Sequence, residues 1–297
     1  MPGSYIISGA RTPIGKLSGA LASFSAAELG GIAIAEALKR AGVAPHEVEH
    51  VIMGQVLMAG QGQVPSRQAA AKAGIPMNVP SVNVNKVCLS GLNSIYLADQ
   101  MIANGDADIV VAGGMESMTN SPYLAMGARS GYRFGDVQML DAIQRDGLWC
   151  AFDSCLMGLG TERYAAGEIS REAQDDLAMK SNQRAAAAIT NGKLAEEIVA
   201  ITIPQRKGEP VVVSNDEGVR ASTTMESLAS LKPAFDKTGT VTAGNASQIS
   251  DAGSAVVMMS KRAAEKRGIK PLGEFISYGM VAAQIMLRCC TNQAAAL

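Results

Sequence analysis

The sequence predicts a layered α/β fold in which helices pack on a buried sheet. Two observations carry this. Short runs rich in valine and isoleucine alternate with segments of helical period, and glycine punctuates the joins between them. Residues 5–8 form the first strand, and Arg11-Thr-Pro-Ile-Gly15 is a loop. Ser25 caps a helix, with Glu28 three residues on as the partner in a capping box. That helix sets Leu29, Ile32, Ala33 and Leu38 on one face. Lys39 and Arg40 fill its last turn, and Gly42 stands just past it. Residues 48–55 read as the next strand and 68–74 as a short helix. Residues 79–84 read as a buried strand around Val79, Val82 and Val84, which turns at Asn85-Lys86 into a helix. This second long helix carries Leu92, Ile95, Tyr96 and Ile102 and stops at Asn104-Gly105. Residues 107–116 are a strand running into a glycine turn.

From residue 117 to about 245 the pattern changes. Turn residues become frequent, and Ser170 caps a long alanine-rich helix that ends near Asn191-Gly192. Short strands follow at 198–204 and 211–213. This region reads as an insertion on the α/β core, the usual place for loops that shape a substrate site. Residues 254–260 return as strand, 261–267 as helix and 273–283 as strand. Residues 284–297 show no turn chemistry and no clear period. They read as a divergent tail, with a frayed terminus as the plainer alternative.

The 297 residues are 47% hydrophobic and 18% charged, enough for a large core in one or two domains. A net charge of -1 gives no electrostatic case for nucleic acid or an anionic membrane. No run of about 18 apolar residues is present to span a bilayer. The first residues go straight into a strand, without a charged and apolar leader, so the expected location is the cytoplasm.

Of the five cysteines, Cys88, Cys150, Cys155, Cys289 and Cys290, only one has a context that demands chemistry. The spacings suit neither a disulfide framework nor a zinc ribbon. Cys150 and Cys155 read as small, buried and inert, and Cys289-Cys290 as incidental to the tail. Cys88 sits where a strand hands over to a helix, whose positive end favours thiolate over thiol. Ser90 and Gly91 after it leave room for something to approach. A cysteine there is placed for nucleophilic attack.

Other patterns compete with it and lose. His46-Glu-Val-Glu-His50 has the spacing of a zinc peptidase, and so is a remote alternative. That chemistry needs both histidines on one face of a two-turn helix and a third ligand. Strand pattern begins immediately after His50, and no third histidine exists. No metal site is expected. Asp175-Asp176 and Glu196-Glu197 diverge as neighbours on a helix and read as solvated faces, and Asp153 and Glu162 receive no role. Met258-Met259 reads as sheet core.

Several stretches together resemble the thiolase family, in particular its acetyl-CoA acetyltransferase type. They are Gly9-Ala-Arg-Thr-Pro13, Asn85-Lys-Val-Cys-Leu-Ser-Gly-Leu-Asn93, Ala112-Gly-Gly-Met-Glu-Ser-Met118, Met157-Gly158, Leu231-Lys-Pro-Ala-Phe235, Thr242-Ala-Gly-Asn-Ala-Ser247 and Ile276-Ser-Tyr-Gly-Met280. The resemblance implies a thiolase-like layered α/β/α fold. Residues 1–116 and 248–269 would be its N-terminal domain, 117–247 a loop domain that binds coenzyme A, 270–283 the first strand of a C-terminal domain and 284–297 the divergent tail.

The resemblance also implies that Cys88 takes an acetyl group from acetyl-CoA on the way to acetoacetyl-CoA, or in the reverse thiolysis. Thioester exchange suits cysteine, because one thiolate expels another of similar basicity. The Cys88 N–H would contribute to an oxyanion site. Arg220, Ser227, Phe235 and Ser247 match positions that hold coenzyme A, with Arg220 near its phosphates. Leu148 and Met157 match positions beside the pantetheine and acyl group, and Leu156 stands where the family often has histidine. Coenzyme A thioester is the substrate, no cofactor is implied, and family members form dimers or tetramers.

The family's Gly-His-Pro, Cys-x-Gly and Asn-Glu-Ala motifs belong to the C-terminal domain and do not occur in this sequence. The expectation is therefore the first two-thirds of a thiolase, with weak or no turnover, an apolar face prone to self-association, and a non-catalytic acyl-CoA-binding or subunit-binding role as the alternative.

Overall fold

The computed structural model describes residues 3–165 and 167–280. They fall into two compact units. One is built on residues up to 120, 194–217 and 250–278, the other on 121–193 and 218–249.

The first unit opens with strand β1 (Ser4–Arg11), the short β2 (Gly15–Lys16) and helix α1 (Ala26–Ala41). The local signals of α1 act as expected. Ser25 accepts from Glu28 N, Glu28 reaches back to the cap, and Gly42 closes the helix at φ 62°. Strand β3 (His50–Gly54), helix α2 (Pro65–Lys72), strand β4 (Ser81–Val84), helix α3 (Ser90–Asn104) and strand β5 (Ile109–Ser117) follow. Helix α2 begins earlier than its apolar pattern suggests because Pro65 is pre-set for a first turn.

The second unit then takes the chain through paired strands β6 (Tyr123–Leu124) and β7 (Leu140–Asp141) and a hairpin of β8 (Trp149–Cys150) and β9 (Cys155–Leu156). Helices α4 (Met157–Ala165) and α5 (Arg171–Thr190) come next, the latter capped by Ser170 as the sequence suggests. The chain returns to the first unit for the antiparallel pair β10 (Ile201–Ile203) and β11 (Val211–Val213). Arg11 lies within this unit as a bidentate partner of Asp216 and an ion-pair partner of Glu197. Helix α6 (Met225–Ala229) belongs to the second unit. Strand β12 (Ser250–Ser260), helix α7 (Lys261–Arg267) and strand β13 (Gly273–Glu274) complete the first.

The main sheet has the order β13-β1-β12-β5-β3-β4, with β2 also paired to β12. Strands β3, β4 and β5 are parallel, and β12 runs antiparallel between β1 and β5. Helices α1 and α2 cover one face, where Ile34, Leu38, Val51, Met53, Val111 and Met259 pack. Helix α3 covers the other with Ala98 and Ile102 against Ile52, Val110 and Met258. Met258 and Met259 thus project to opposite faces of one strand, each 0% exposed, as sheet core.

Four expectations need correction. Among the described residues only β3 pairs with β4, so it is an edge strand rather than a buried one, and Val82 is 41% exposed. Helix α3 buries Ser90, Ser94, Ala98, Asp99 and Ile102, whereas Leu92 is exposed. The small-residue stripe wins because the helix lies almost on the sheet backbone. The strand expected over 273–283 is limited to β13; residues 275–280 are irregular, and the remainder, with the tail 284–297, lies outside the described residues. Cys155 and Cys150 are both buried, but Cys150 is not idle, since its Sγ accepts Asp153 N–H at 3.2 Å. Among the described residues no helix is long and apolar enough to cross a membrane.

Candidate active site

Cys88 lies in the turn between β4 and α3, two residues ahead of the helix, and its thiol is exposed. Hydrogen bonds fix this turn on both sides. Val87 N–H donates to Asn85 Oδ1 at 3.0 Å, and Lys86 N–H donates to Ser90 Oγ at 2.9 Å. Ser90 Oγ in turn donates to the Val87 carbonyl, and Leu89 N–H to that of Lys86. Val87 is held at φ 49°, a left-handed conformation that costs a β-branched residue roughly 1–3 kcal/mol. Such strain persists only where the surroundings over-determine it, and here it stands immediately before the thiol.

The small residues after Cys88 do not make room for a ligand. Ser90 is buried, and Gly91 sits against the sheet backbone, where a Cβ would lie 3.7 Å from Gly113 and Gly114. A Cβ at Gly54 would run into the backbone of Ser90 and Gly91. The glycines at 54, 91 and 114 therefore let the first turn of α3 rest on β3 and β5. This brings the helix N-terminus, with the positive end of its dipole, down to the ends of the parallel strands.

Glu116 was invisible as a site residue in the sequence. It lies at the end of β5, partly buried, and accepts Val56 N–H at 2.8 Å and Leu57 N–H at 3.1 Å. Burial pushes its carboxyl above the usual carboxylate range, and the two backbone donors oppose that shift. Lys86 Nζ donates to Tyr278 Oη and Asn93 Oδ1, and the Tyr278 ring stacks on Tyr96 at 3.8 Å between centroids.

The second unit contains a cavity of about 590 Å³. Arg220 and Ser227 both line it, with Asn182, Leu228, Leu231 and Gly244. Asn182 Oδ1 accepts the backbone N–H of Arg220 at 2.9 Å. Ser227 Oγ accepts Thr224 N–H and donates to the Thr224 carbonyl, so it closes a capping box on α6. Ser247 is exposed between two lining residues, Ala246 and Gln248, but is not itself in the wall. Phe235 lies elsewhere, with its ring against Gly158 next to Met157. Leu148 and Met157 are both half-buried and flank the β8–β9 hairpin, just outside the pair Trp149 and Leu156.

Two carboxylates of the second unit are buried and bonded, contrary to the solvated or idle roles expected for them. Asp175 is 2% exposed, because Arg171 pairs with it at 2.7 Å and Asn245 donates to its other oxygen. Arg171 also donates to the carbonyls of Leu228 and Leu231. Glu162 accepts from the backbone of Thr240 and Val241. Arg171 and Asp175 are an i, i+4 pair, but the remaining partners lie far apart in sequence and no local pattern announces them.

The peptidase pattern loses its geometry. His46 falls in a 3₁₀ turn (Pro45–Glu47) and His50 opens β3, so the pair shares no helical face. Burial lowers the pKa of His50. Among the described residues no group of three metal-ligating side chains forms. We expect His50→Ala to leave both the metal content of purified protein and the reactivity of Cys88 unchanged, measured by elemental analysis and thiol alkylation.

Comparison with known proteins shows the family. Residues 4–262 match the family described as "Thiolase, N-terminal domain". The chain is 53% identical over 283 residues to a "Probable acetyl-CoA acetyltransferase" of Mycobacterium leprae, covering 95% of this chain and 72% of that protein. It is 51% identical over 274 residues to an "Acetyl-CoA acetyltransferase" of Cupriavidus necator, covering 92% and 70% respectively. A "Probable acetyl-CoA acyltransferase" of Staphylococcus aureus is 48% identical over 270 residues, covering 91% and 69%.

Proposed function

This chain belongs to the thiolase family, as a thiolase-type acyltransferase, and from that premise we propose that Cys88 accepts an acetyl group from acetyl-CoA. One observation carries the reading: an exposed thiol stands on a strained turn held by hydrogen bonds on both sides, at the head of a long helix. The Cys88 thiolate attacks the thioester carbonyl, a new C–S bond forms, and the bond to coenzyme A breaks. Coenzyme A leaves as a thiolate and takes up a proton. The acetyl group on Cys88 is then available to a carbon nucleophile or, in the reverse sense, to another coenzyme A thiol. Acetyl-CoA and acetoacetyl-CoA are the proposed substrates, on the names of the relatives. Assembly into a homo-oligomer belongs to the same proposal, on family grounds.

The domain roles follow as part of this reading. Residues 1–116 and 248–269 supply the nucleophile, and the loop region 117–247 holds coenzyme A. Arg220 and Ser227 at the cavity support the second role, since a guanidinium at a cleft lined by backbone suits a phosphate. Phe235, Ser247, Leu148 and Met157 are assigned to the pantetheine and acyl portions.

The direct test is peptide mapping by mass spectrometry after exposure to acetyl-CoA. A single acetyl group on Cys88 is expected, and an unmodified Cys88 overturns the proposal. Arg220→Ala is expected to weaken coenzyme A binding by about tenfold, the loss of one charge-assisted contact. Calorimetric titration of coenzyme A measures it, and unchanged affinity removes Arg220 from the site.

A further inference from the structure

We propose that Glu116 is a positioning residue for Cys88: its carboxylate clamps residues 56–57, and that segment steadies the turn bearing the thiol. The proposal rests on the reading of Cys88 as the nucleophile and goes on to name what holds it.

The connections are short and continuous. The two Glu116 oxygens take one backbone N–H each, from Val56 and Leu57. The clamped segment meets the turn twice. Gln55 N–H donates to the Val84 carbonyl at 3.0 Å, at the last residue before the turn. The Val56 carbonyl accepts Asn85 Nδ2 at 3.4 Å. The same Asn85 side chain accepts Val87 N–H through Oδ1, so its orientation decides whether Val87 keeps its left-handed conformation. With Val56 unclamped, Asn85 loses the partner that fixes its amide plane. Val87 can then relax, and the thiol one residue on turns with it.

The geometry explains why the residue is a carboxylate. Two successive N–H groups reach it, one to each oxygen, and a carboxylate accepts both without presenting a donor to either. Glutamine has the same shape but would turn an NH₂ towards one of those donors. A carboxylate that merely filled space would not need both oxygens so engaged.

The test compares Glu116→Gln, Glu116→Asp and Asn85→Ala with the parent protein. Two rates are measured across a pH series: alkylation of Cys88 by iodoacetamide and acetylation by acetyl-CoA. Glu116→Gln should slow both by about tenfold or more, with the half-saturating acetyl-CoA concentration unchanged. Glu116→Asp, which keeps both acceptors, should recover part of the loss. Asn85→Ala should show a similar loss, and the Glu116→Gln/Asn85→Ala double variant should lose no more than either alone, because both break one connection.

Parent-like rates in Glu116→Gln at every pH overturn the proposal, as does a double-variant loss equal to the product of the single losses. Should Glu116→Gln fail to fold, the exposed Asn85→Ala decides: parent-like alkylation in it overturns the proposal. Failure of the acetyl-transfer reading is distinguishable. In that case Cys88 of the parent is alkylated but never acetylated, and the Glu116 effect on alkylation still stands or falls.

Discussion

Replacing Cys88 by alanine is expected to abolish acetylation of the protein by acetyl-CoA while leaving the fold intact. The expected loss of acetyl transfer is on the order of 10⁴-fold or more, since no other group can take the place of a removed nucleophile. The thiol is exposed on a turn, so its removal opens no cavity, and stability should change by only about 0.5 kcal/mol. That separation makes the variant informative. A lost label together with an unchanged melting curve assigns the chemistry to one sulfur atom. Cys155 is the internal control, because it is a thiol of the same protein that lies buried. Peptide mapping of the Cys88→Ala protein should find neither Cys155 nor any lysine acetylated beyond the level of a denatured control. Persistent acetylation in this variant, at a rate near that of the parent, would remove Cys88 from the mechanism.

Much of the frame was legible because its signals are local. Ser25 with Glu28, Ser170 before an alanine-rich run, and Gly42 after Arg40 each act within one helical turn, and each does in the structure what the pattern promised. The valine-rich run at 109–112 was equally plain, because a strand buried on both faces has no polar alternation. Edge position was not legible. Whether the strand around Val82 has one neighbour or two depends on where the chain returns, and among the described residues it does not return beside β4.

The site divides along the same line. Cys88 stood out because a strand-to-helix junction is a local feature. Glu116 did not, because its donors at Val56 and Leu57 come from a segment about sixty residues earlier. Asp175 looked like half of a solvated pair, yet Asn245, far along the chain, covers it. Arg220 and Ser227 acquired meaning through family resemblance alone. Their shared cavity rests on the backbone contact between Arg220 and Asn182, which no spacing rule contains.

Gly54→Ala is expected to be strongly destabilising. The new Cβ would meet the carbonyl carbon and Cβ of Ser90 and the nitrogen of Gly91, none of which a side-chain rotation can move away. Helix α3 must lift off the sheet or β3 must bend, and overpacking that only backbone movement relieves costs about 3 kcal/mol or more. For a chain of this size that corresponds to a fall in melting temperature of about 6–12 °C. Gly42→Ala is the matched control. Gly42 also has a conformation unfavourable to alanine, at φ 62°, but nothing lies within 4 Å of the added carbon. Its cost should stay near 1–2 kcal/mol, the local price of the left-handed backbone alone. The two variants also differ in chemistry. Lifting the first turn of α3 moves the turn at residues 85–89, so any folded Gly54→Ala protein should be alkylated at Cys88 at an altered rate, whereas Gly42→Ala should match the parent. Equal melting temperatures for the two variants would mean that α3 does not rest on β3 at this point. The glycines at 54, 91 and 114 would then have no part in setting where the nucleophile stands.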